Sequence, residues 1–330
     1  MVSARNTVIS SRVRLARNIN GLAFPSMLRG NEPKLKEFYA KTREVCDSRF
    51  KNKFYTVNSL SEIQLSSLIE NHLISPALCD NAFAAMIISD DKTISVMLNE
   101  EDHLREQCIL GGYRLDEAYR TVESVDIALR NKLDIAFKMP YGHLTACPTN
   151  LGAGMRASVM MFLPAMAINH TIDLEIRKMH ARGITLRGVY GEGSTADGFM
   201  YQISNQSAVG MGEDEILQKV KNEVARLCEL EEQAQRSIKG ANIEDQIWRA
   251  YGLLRYAKKL CQKEFADNIA LVKLGVIYGM FDIDIDMLNR LINDTQKNTL
   301  SVNARRELNA SERDNLRAKM INEKLKLYRI

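Results

Sequence analysis

The sequence is poor in residues that break up or cross-link a chain. Its 330 residues include 6 prolines and 18 glycines, too few for a disordered or low-complexity protein. No run of eighteen apolar residues occurs, so no membrane span is expected. The opening "MVSARNTVIS" has no apolar h-region and predicts no secretory signal. The 6 cysteines, at 46, 79, 108, 147, 228 and 261, are scattered, with no CxxC or Cys/His ligand spacing. That pattern argues against structural zinc and predicts free thiols in a reducing cytoplasm. Net charge is only +4, which points at most to anionic ligands; no direct nucleic-acid binding is expected. The Walker A pattern GxxxxGK[ST] is missing as well. What is present in quantity is apolar residues, at 45%, enough for a sizeable core.

The length suggests two domains, or one large domain with an appendix. "VISSRVRLAR" (8–17) reads as a strand with Arg12 and Arg14 on one face and Val13 and Leu15 on the other. Helical spacing predicts a helix over 33–46, and a capping box from Ser59 to Glu62 predicts another running to about Leu73. "AAMIIS-DDK-TISVMLN" predicts a β-hairpin, and 115–135 an amphipathic helix. "HLTAC" (143–147) reads as a strand stopped by Pro148, followed by a Gly-rich loop and a long helix from Met155, kinked at Pro164. "ITLRGVY" and "FMYQIS" are further strands, and 214–235 a helix. No strand signal follows Lys239-Gly240. The expected division is a mixed sheet-and-helix domain over 1–240 and a small helical domain over 241–330.

Two features carry chemistry. The run "ISVMLNEEDHLR" (94–105) ends an apolar strand in three consecutive acids, Glu100, Glu101 and Asp102. Adjacent carboxylates repel, so the cluster needs a purpose. The loop "NLGAGMRA" (150–157) matches the dinucleotide fingerprint GxGxxA, but so does "GEGSTA" (191–196). The first loop reads either as a tight turn before a helix or as an anion site. Arg156 in a first helical turn opposes the helix dipole unless an anion sits there, which favours phosphate over a hydride-transfer cofactor. Arg12, Arg14, Arg105, Arg156 and Arg187 taken together suit phosphate oxygens, which guanidinium forks bind bidentately.

"SSRVRLAR", "NEEDHLR", "CPTNLGAGMRASV" and "RGVYGEGS" resemble the ATP:guanidino phosphotransferases, the creatine and arginine kinase family, and most closely the family's bacterial protein-arginine kinase branch, the McsB type. The resemblance runs through the whole chain in order. It implies an α+β fold: a curved antiparallel sheet flanked by helices, followed by a small all-helical C-terminal domain. It also implies transfer of the γ-phosphoryl of ATP, with Mg2+, to a guanidinium. The guanidinium pKa of about 12.5–13.8 makes its deprotonation at neutral pH cost roughly 8 kcal/mol, which a carboxylate base can offset. By resemblance Glu101 is that base, and Glu192 the second carboxylate that fixes the acceptor's plane. Glu100 and Asp102 would orient the site or support magnesium indirectly.

By the same resemblance the nucleotide is held by Ser10, Ser11, Arg12, Val13 and Arg14, by His72 and Arg105, by Arg156, Ala157, Ser158, Val159 and Met160, and by Arg187, Gly188, Val189, Tyr190, Gly191 and Glu192. Cys147 stands where the family has a reactive cysteine, a redox-sensitive position, and in-line transfer gives it no nucleophilic role. Ala153, Thr195 and Asp197 depart from the family pattern and bear on substrate preference. The chain begins nine residues before Ser10, without the helical domain that covers small substrates in the free-arginine kinases, which would leave room for a protein-borne arginine. In "SERDNLRAKM" (311–320), Ser311 and Asp314 fit a helix start, and Arg313 and Arg317 lie four apart. The segment Arg313, Asp314, Asn315, Leu316, Arg317 and Ala318 resembles a motif that binds phosphoarginine at an allosteric pocket. Implied partners are arginine-bearing protein substrates, a zinc-binding activator protein, a Clp chaperone-protease, and further copies of the chain in a homodimer or larger homo-oligomer. The competing readings are a kinase of free arginine or another small guanidino compound, a non-catalytic phosphoarginine-binding protein and, more remotely, a nicotinamide-dependent enzyme.

Overall fold

The computed structural model describes residues 6–28, 33–189 and 197–326. Its main strands are β1 (Val8–Arg17), β2 (Asn52–Thr56), β3 (Ala85–Ser89), β4 (Ile94–Leu98) and β5 (Leu104–Gly111), then β8 (Met155–Phe162), β9 (Ile184–Gly188) and β10 (Met200–Asn205). They form one sheet in the order β2-β3-β4-β5-β1-β8-β10-β9, antiparallel throughout. Two short strands, β6 (Phe137–Lys138) and β7 (Gly142–His143), pair separately. "HLTAC" thus contributes only its first residue to a strand. Pro148 instead starts a three-residue 3-10 turn, Pro148–Asn150.

Helices α1 (Pro33–Arg49), α2 (Glu62–Glu70), α3 (Leu115–Arg130), α4 (Pro164–Ile168), α5 (Ile172–Ala181) and α6 (Glu213–Ile238) surround the sheet. One face is sealed where Val13, Leu15, Ala157, Val159 and Ile203 meet Val122 of α3 and Val220, Val224 and Leu227 of α6. Farther along the sheet, Ile87, Val96 and Leu104 pack under α1 and α3. On the opposite face Met86, Ile88 and Met97 lie beneath Leu73, Ile74 and Leu78. Beside that small cluster, the same face carries the polar residues of β1, β5 and β8.

The largest difference from the sequence reading concerns 155–162. This segment is a central strand and not the start of a long helix. Met155, Ala157, Val159 and Met161 are buried on the helix-covered side, while Arg156, Ser158 and Met160 alternate to the other. Met and Ala favour helix locally, but the period of two and pairing on both edges win. Pro164 opens α4 at its first turn and does not kink a longer helix. Two caps also shift. Ser61 and Gln64, not Ser59 and Glu62, form the reciprocal box of α2, which ends at Glu70. α3 ends at Arg130, short of 135.

The chain beyond 240 contains only helices among the described residues: α7 (Ala241–Tyr256), α8 (Gln262–Ile277), α9 (Ile285–Asp294), α10 (Lys297–Asn303) and α11 (Ala310–Leu325). They enclose a core of Ile247, Leu254, Phe265, Val272, Leu288 and Ile321. This bundle meets the sheet directly, with Ala270 of α8 against Phe162 and Met200, and is also fastened through α2. The Glu70 carboxylate accepts from the backbone N–H of Asn298 (2.9 Å) and Thr299 (2.8 Å), and from both their side chains. An acid at the first turn of α10 satisfies amides that have no partner within the helix.

Candidate active site

Strand register brings the arginines together. Arg14 lies opposite Gln107 on β5 and Arg156 on β8; Arg12 lies opposite Ser158; Arg105 lies opposite Ala16. Arg187, on edge strand β9, lies opposite Gln202. Residues directly opposite share a face, so arginines from four strands line one face, opposite the one sealed by α3 and α6. Arg156 Nη2 donates to Ser204 Oγ at 3.0 Å, and Arg12 Nε to Ser158 Oγ at 3.4 Å. Burial, with Arg12, Arg105 and Arg156 nearby, pushes the Arg14 pKa well below its ordinary value. Burial and neighbouring Arg187 and Arg105 lower that of Arg156. Guanidiniums stay charged in proteins, so the cluster is held in mutual repulsion that a polyphosphate relieves. The Nε atoms of Arg14 and Arg156 are buried without a hydrogen-bond partner among the described residues.

The three acids occupy the tight turn between β4 and β5, and each does something different. Glu100 is buried and paired with Arg105; it also accepts from Ser75 Oγ at 2.5 Å and from the Glu101 N–H at 3.0 Å. Asp102, 2% exposed, accepts from Asn18 Nδ2 (2.6 Å) and the Ala146 N–H (2.7 Å). It pins the 142–147 segment against the end of β1, a structural duty that leaves little capacity for magnesium. Glu101 alone is exposed. It borders a hollow of about 110 Å³ with Arg14, Arg105, Arg156 and Cys147. Burial, then Asp102 and Glu100, raise its pKa; Arg105 and a hydrogen bond with Cys147 act in the opposite sense.

The loop before β8 shows why its glycines are required. Gly154 has φ +63°, and a Cβ there would lie 2.5 Å from Arg17 Nη1 and 2.7 Å from the Ala16 carbonyl. Arg17 is buried, forked onto Asp126 (2.9 and 3.1 Å), and donates to the Ala153 carbonyl at 3.0 Å. Because the loop leads into a strand and not a helix, the dinucleotide reading and the helix-dipole argument for Arg156 both fail. Arg156 reaches the site through its register beside Arg14.

The other sequence-predicted residues divide by strand face. Ser10 and Met160 join His72 beside Arg12. Burial, with Arg12 and Arg14 nearby, lowers the His72 pKa to about 4, so it is neutral near pH 7. Val13, Ala157 and Val159 turn into the core and offer this face only backbone. Ser11 bonds to the Gly112 carbonyl and the Arg114 N–H, each at 2.9 Å. Gly188 ends β9 and Val189 follows it. Tyr190, Gly191, Glu192 and Thr195 lie outside the described residues, as does the side chain of Asp197. Cys147 is followed by the short 3-10 turn and lies 3.1 Å from Thr149 Oγ1. Sequence reasoning missed Ser75, Ser204 and Gln107; the last two are legible only once strand partners are known.

The RDNLRA segment lies on α11, whose capping box is Asn309 with Glu312 and not Ser311 with Asp314. Arg313 and Arg317 do not share an exposed surface. Arg313 is partly exposed and donates to the Leu308 carbonyl. Arg317 is 2% exposed and donates to the carbonyls of Leu260 (2.6 Å) and Thr295 (3.2 Å) and to Asp314 (2.8 Å). Arg317 is drawn inward by the Leu260 and Thr295 carbonyls packed against α11.

An antiparallel sheet that presents clustered guanidiniums to an acid-lined hollow is an arrangement suited to phosphoryl transfer. Residues 34–234 match the ATP:guanido phosphotransferase C-terminal catalytic domain, and residues 240–329 match the protein-arginine kinase McsB C-terminal domain. The chain belongs to the ATP:guanido phosphotransferase family. A protein-arginine kinase of Caldanaerobacter subterraneus is 37% identical over 97% of this chain and 97% of its own length. One from Symbiobacterium thermophilum is 40% identical, covering 96% of this chain and 93% of that protein. The duplicated taurocyamine kinase of Schistosoma mansoni, solved with transition-state-analogue components, superposes with a TM-score of 0.64 at 26% identity over 79% of this chain and 38% of that one. No helix among the described residues is long and apolar enough to cross a membrane.

Proposed function

We propose that the chain is a protein-arginine kinase that moves the γ-phosphoryl of MgATP onto arginine side chains of proteins. What carries the reading is the exposed carboxylate of Glu101 set across one hollow from Arg14, Arg105 and Arg156. A base for a guanidinium proton thus faces the cations that would neutralise a transferring phosphoryl group. Glu101 takes the proton, the arginines hold the phosphates in line, and Glu192 orients the acceptor. Glu100 keeps Arg105 aimed. Magnesium fits as part of the MgATP substrate: both Glu100 oxygens and the buried Asp102 are already engaged, and magnesium commonly binds through nucleotide phosphates and water.

Protein arginine as acceptor is supported by the names of the relatives and by the C-terminal match. In the assay, labelled ATP and an arginine-rich protein should yield protein-bound phosphate that is acid-labile and base-stable. Label found only on free arginine in a parallel tube would move the assignment to a small-substrate kinase. Absence of transfer to either would leave a non-catalytic binding protein.

The proposal extends to the division of labour. Residues 1–240 perform catalysis, and 241–330 form a regulatory helical domain that senses phosphoarginine at 313–318. Arg313 would meet the phosphoryl group and Asp314 the guanidinium, while buried Arg317 holds Asp314 in place. A site needing both charges rejects arginine and phosphate alone. Free phosphoarginine is expected to change the rate of the full chain, and Arg313→Ala or Asp314→Ala to weaken that response with basal transfer retained. Equal responses of wild type and Asp314→Ala would remove the pocket from this segment. Substrates destined for a Clp protease, a zinc-binding activator, self-association and a cytoplasmic setting in the stress response belong to the same proposal and rest on the resemblance.

A further inference from the structure

Three hollows involve residues of the arginine face. The first is the Glu101 hollow. The second, about 20 Å³, lies between Arg12, His72 and Ser158. It shares Ser10, His72, Ile109 and Met160 with the third, a cleft of about 960 Å³. The cleft is bordered by the sheet and the turn after α2, by Val224, Ala225, Cys228 and Glu229 of α6, and on its far side by Asp286, Asn289, Arg290 and Asn293 of α9, in the C-terminal bundle. A triphosphate lying on the arginines leaves its nucleoside in this cleft, the only one of the three with room for a base.

In that far wall, Asn289 Oδ1 is buried and has no hydrogen-bond partner among the described residues. A carboxamide with an idle acceptor is matched by a ligand that brings a donor. Adenine brings one in its exocyclic 6-amino group, and the carboxamide's own N–H can serve N7, the bidentate pairing by which asparagine reads adenine elsewhere. Hypoxanthine and guanine present a carbonyl at that position, which leaves the acceptor unpaired. We propose that Asn289 reads the adenine edge, so that the C-terminal bundle supplies the base specificity of the nucleotide site. This rests on the kinase reading above and adds to it a function for a region that lies outside the matched catalytic domain.

Asn289 would be a specificity residue far from the transferring phosphate. Its replacement should therefore act on KM and leave kcat little changed. The test compares ATP with inosine triphosphate in the transfer assay, and ADP with inosine diphosphate by calorimetry, on the full chain. Wild type should favour the adenine nucleotide by roughly tenfold, the scale of one well-placed hydrogen bond. Asn289→Ala should bring the ratio close to one by weakening ATP, and Asn289→Gln should keep part of it. A general loosening of α9 would weaken both nucleotides alike and preserve the ratio, which would overturn the assignment. So would a wild type that fails to distinguish the two bases. A wild type that binds neither nucleotide would instead sink the kinase reading, and this inference with it.

Discussion

Glu101→Gln is expected to lower kcat by roughly 10²–10⁴-fold, the range for loss of a positioned general base, while ADP binding stays near wild type. The amide keeps the shape of the side chain but cannot accept the guanidinium proton. It also stands apart from the ion pair that anchors Arg105, because Glu100 holds that partner. The pH profile gives an independent reading. Glu101 must be ionised to act, and its pKa is raised from the ordinary 4.5, so the acid limb of kcat/KM should fall above that value, with activity lost as pH drops through it. The Cys147 thiol acts in the lowering sense; Cys147→Ala should therefore shift the limb to higher pH and keep the plateau rate. A plateau as low as that of Glu101→Gln would assign Cys147 a chemical step. Near-normal turnover by Glu101→Gln would falsify its role as base.

Arg156→Ala should cost more, about 10³–10⁵ in kcat, the range for an arginine that stabilises charge in phosphoryl transfer. Its guanidinium is already aligned by Ser204 at 3.0 Å and crowded by Arg105 and Arg187. The site thus stores repulsion that a bound polyphosphate would release. Lysine at 156 should rescue poorly, since one ammonium cannot reproduce two parallel N–H donors. Single-turnover measurements with saturating ATP separate this loss from weak binding. Recovery to the wild-type rate in Arg156→Lys would show that charge alone suffices and that the fork is irrelevant.

Much of this arrangement could be read from the chain, because period-two alternation is local. Arg12 and Arg14 opposite Val13 and Leu15 declare both a strand and its two faces, and β1 bears that out. The same alternation exists at 155–162 but was hidden by Met and Ala, whose helix preference is strong in isolation and irrelevant in the middle of an eight-stranded sheet. The acid turn was legible as a cluster. Its partition was not, because which carboxylate faces Arg105 and which faces Asn18 depends on strands brought together from 84 residues apart. The turn of Arg317 into the bundle follows from packing around Leu260 and Thr295, which no spacing rule reports. Asn289 gave no signal in sequence. Its interest comes from a hydrogen bond that its surroundings fail to provide.

The Glu70 cap on α10 joins residues 228 and 229 positions apart in the chain. Synthesis proceeds from the N-terminus, and early segments fold first. The arginine face is complete once β10 has emerged, whereas Asn298 and Thr299 emerge only after α7, α8 and α9. Until then Glu70 has no helix to cap, and the bundle that borders the far side of the large cleft is unfastened at that point. A growing chain would thus carry the assembled arginine face before α9 and α10 are in place beside it.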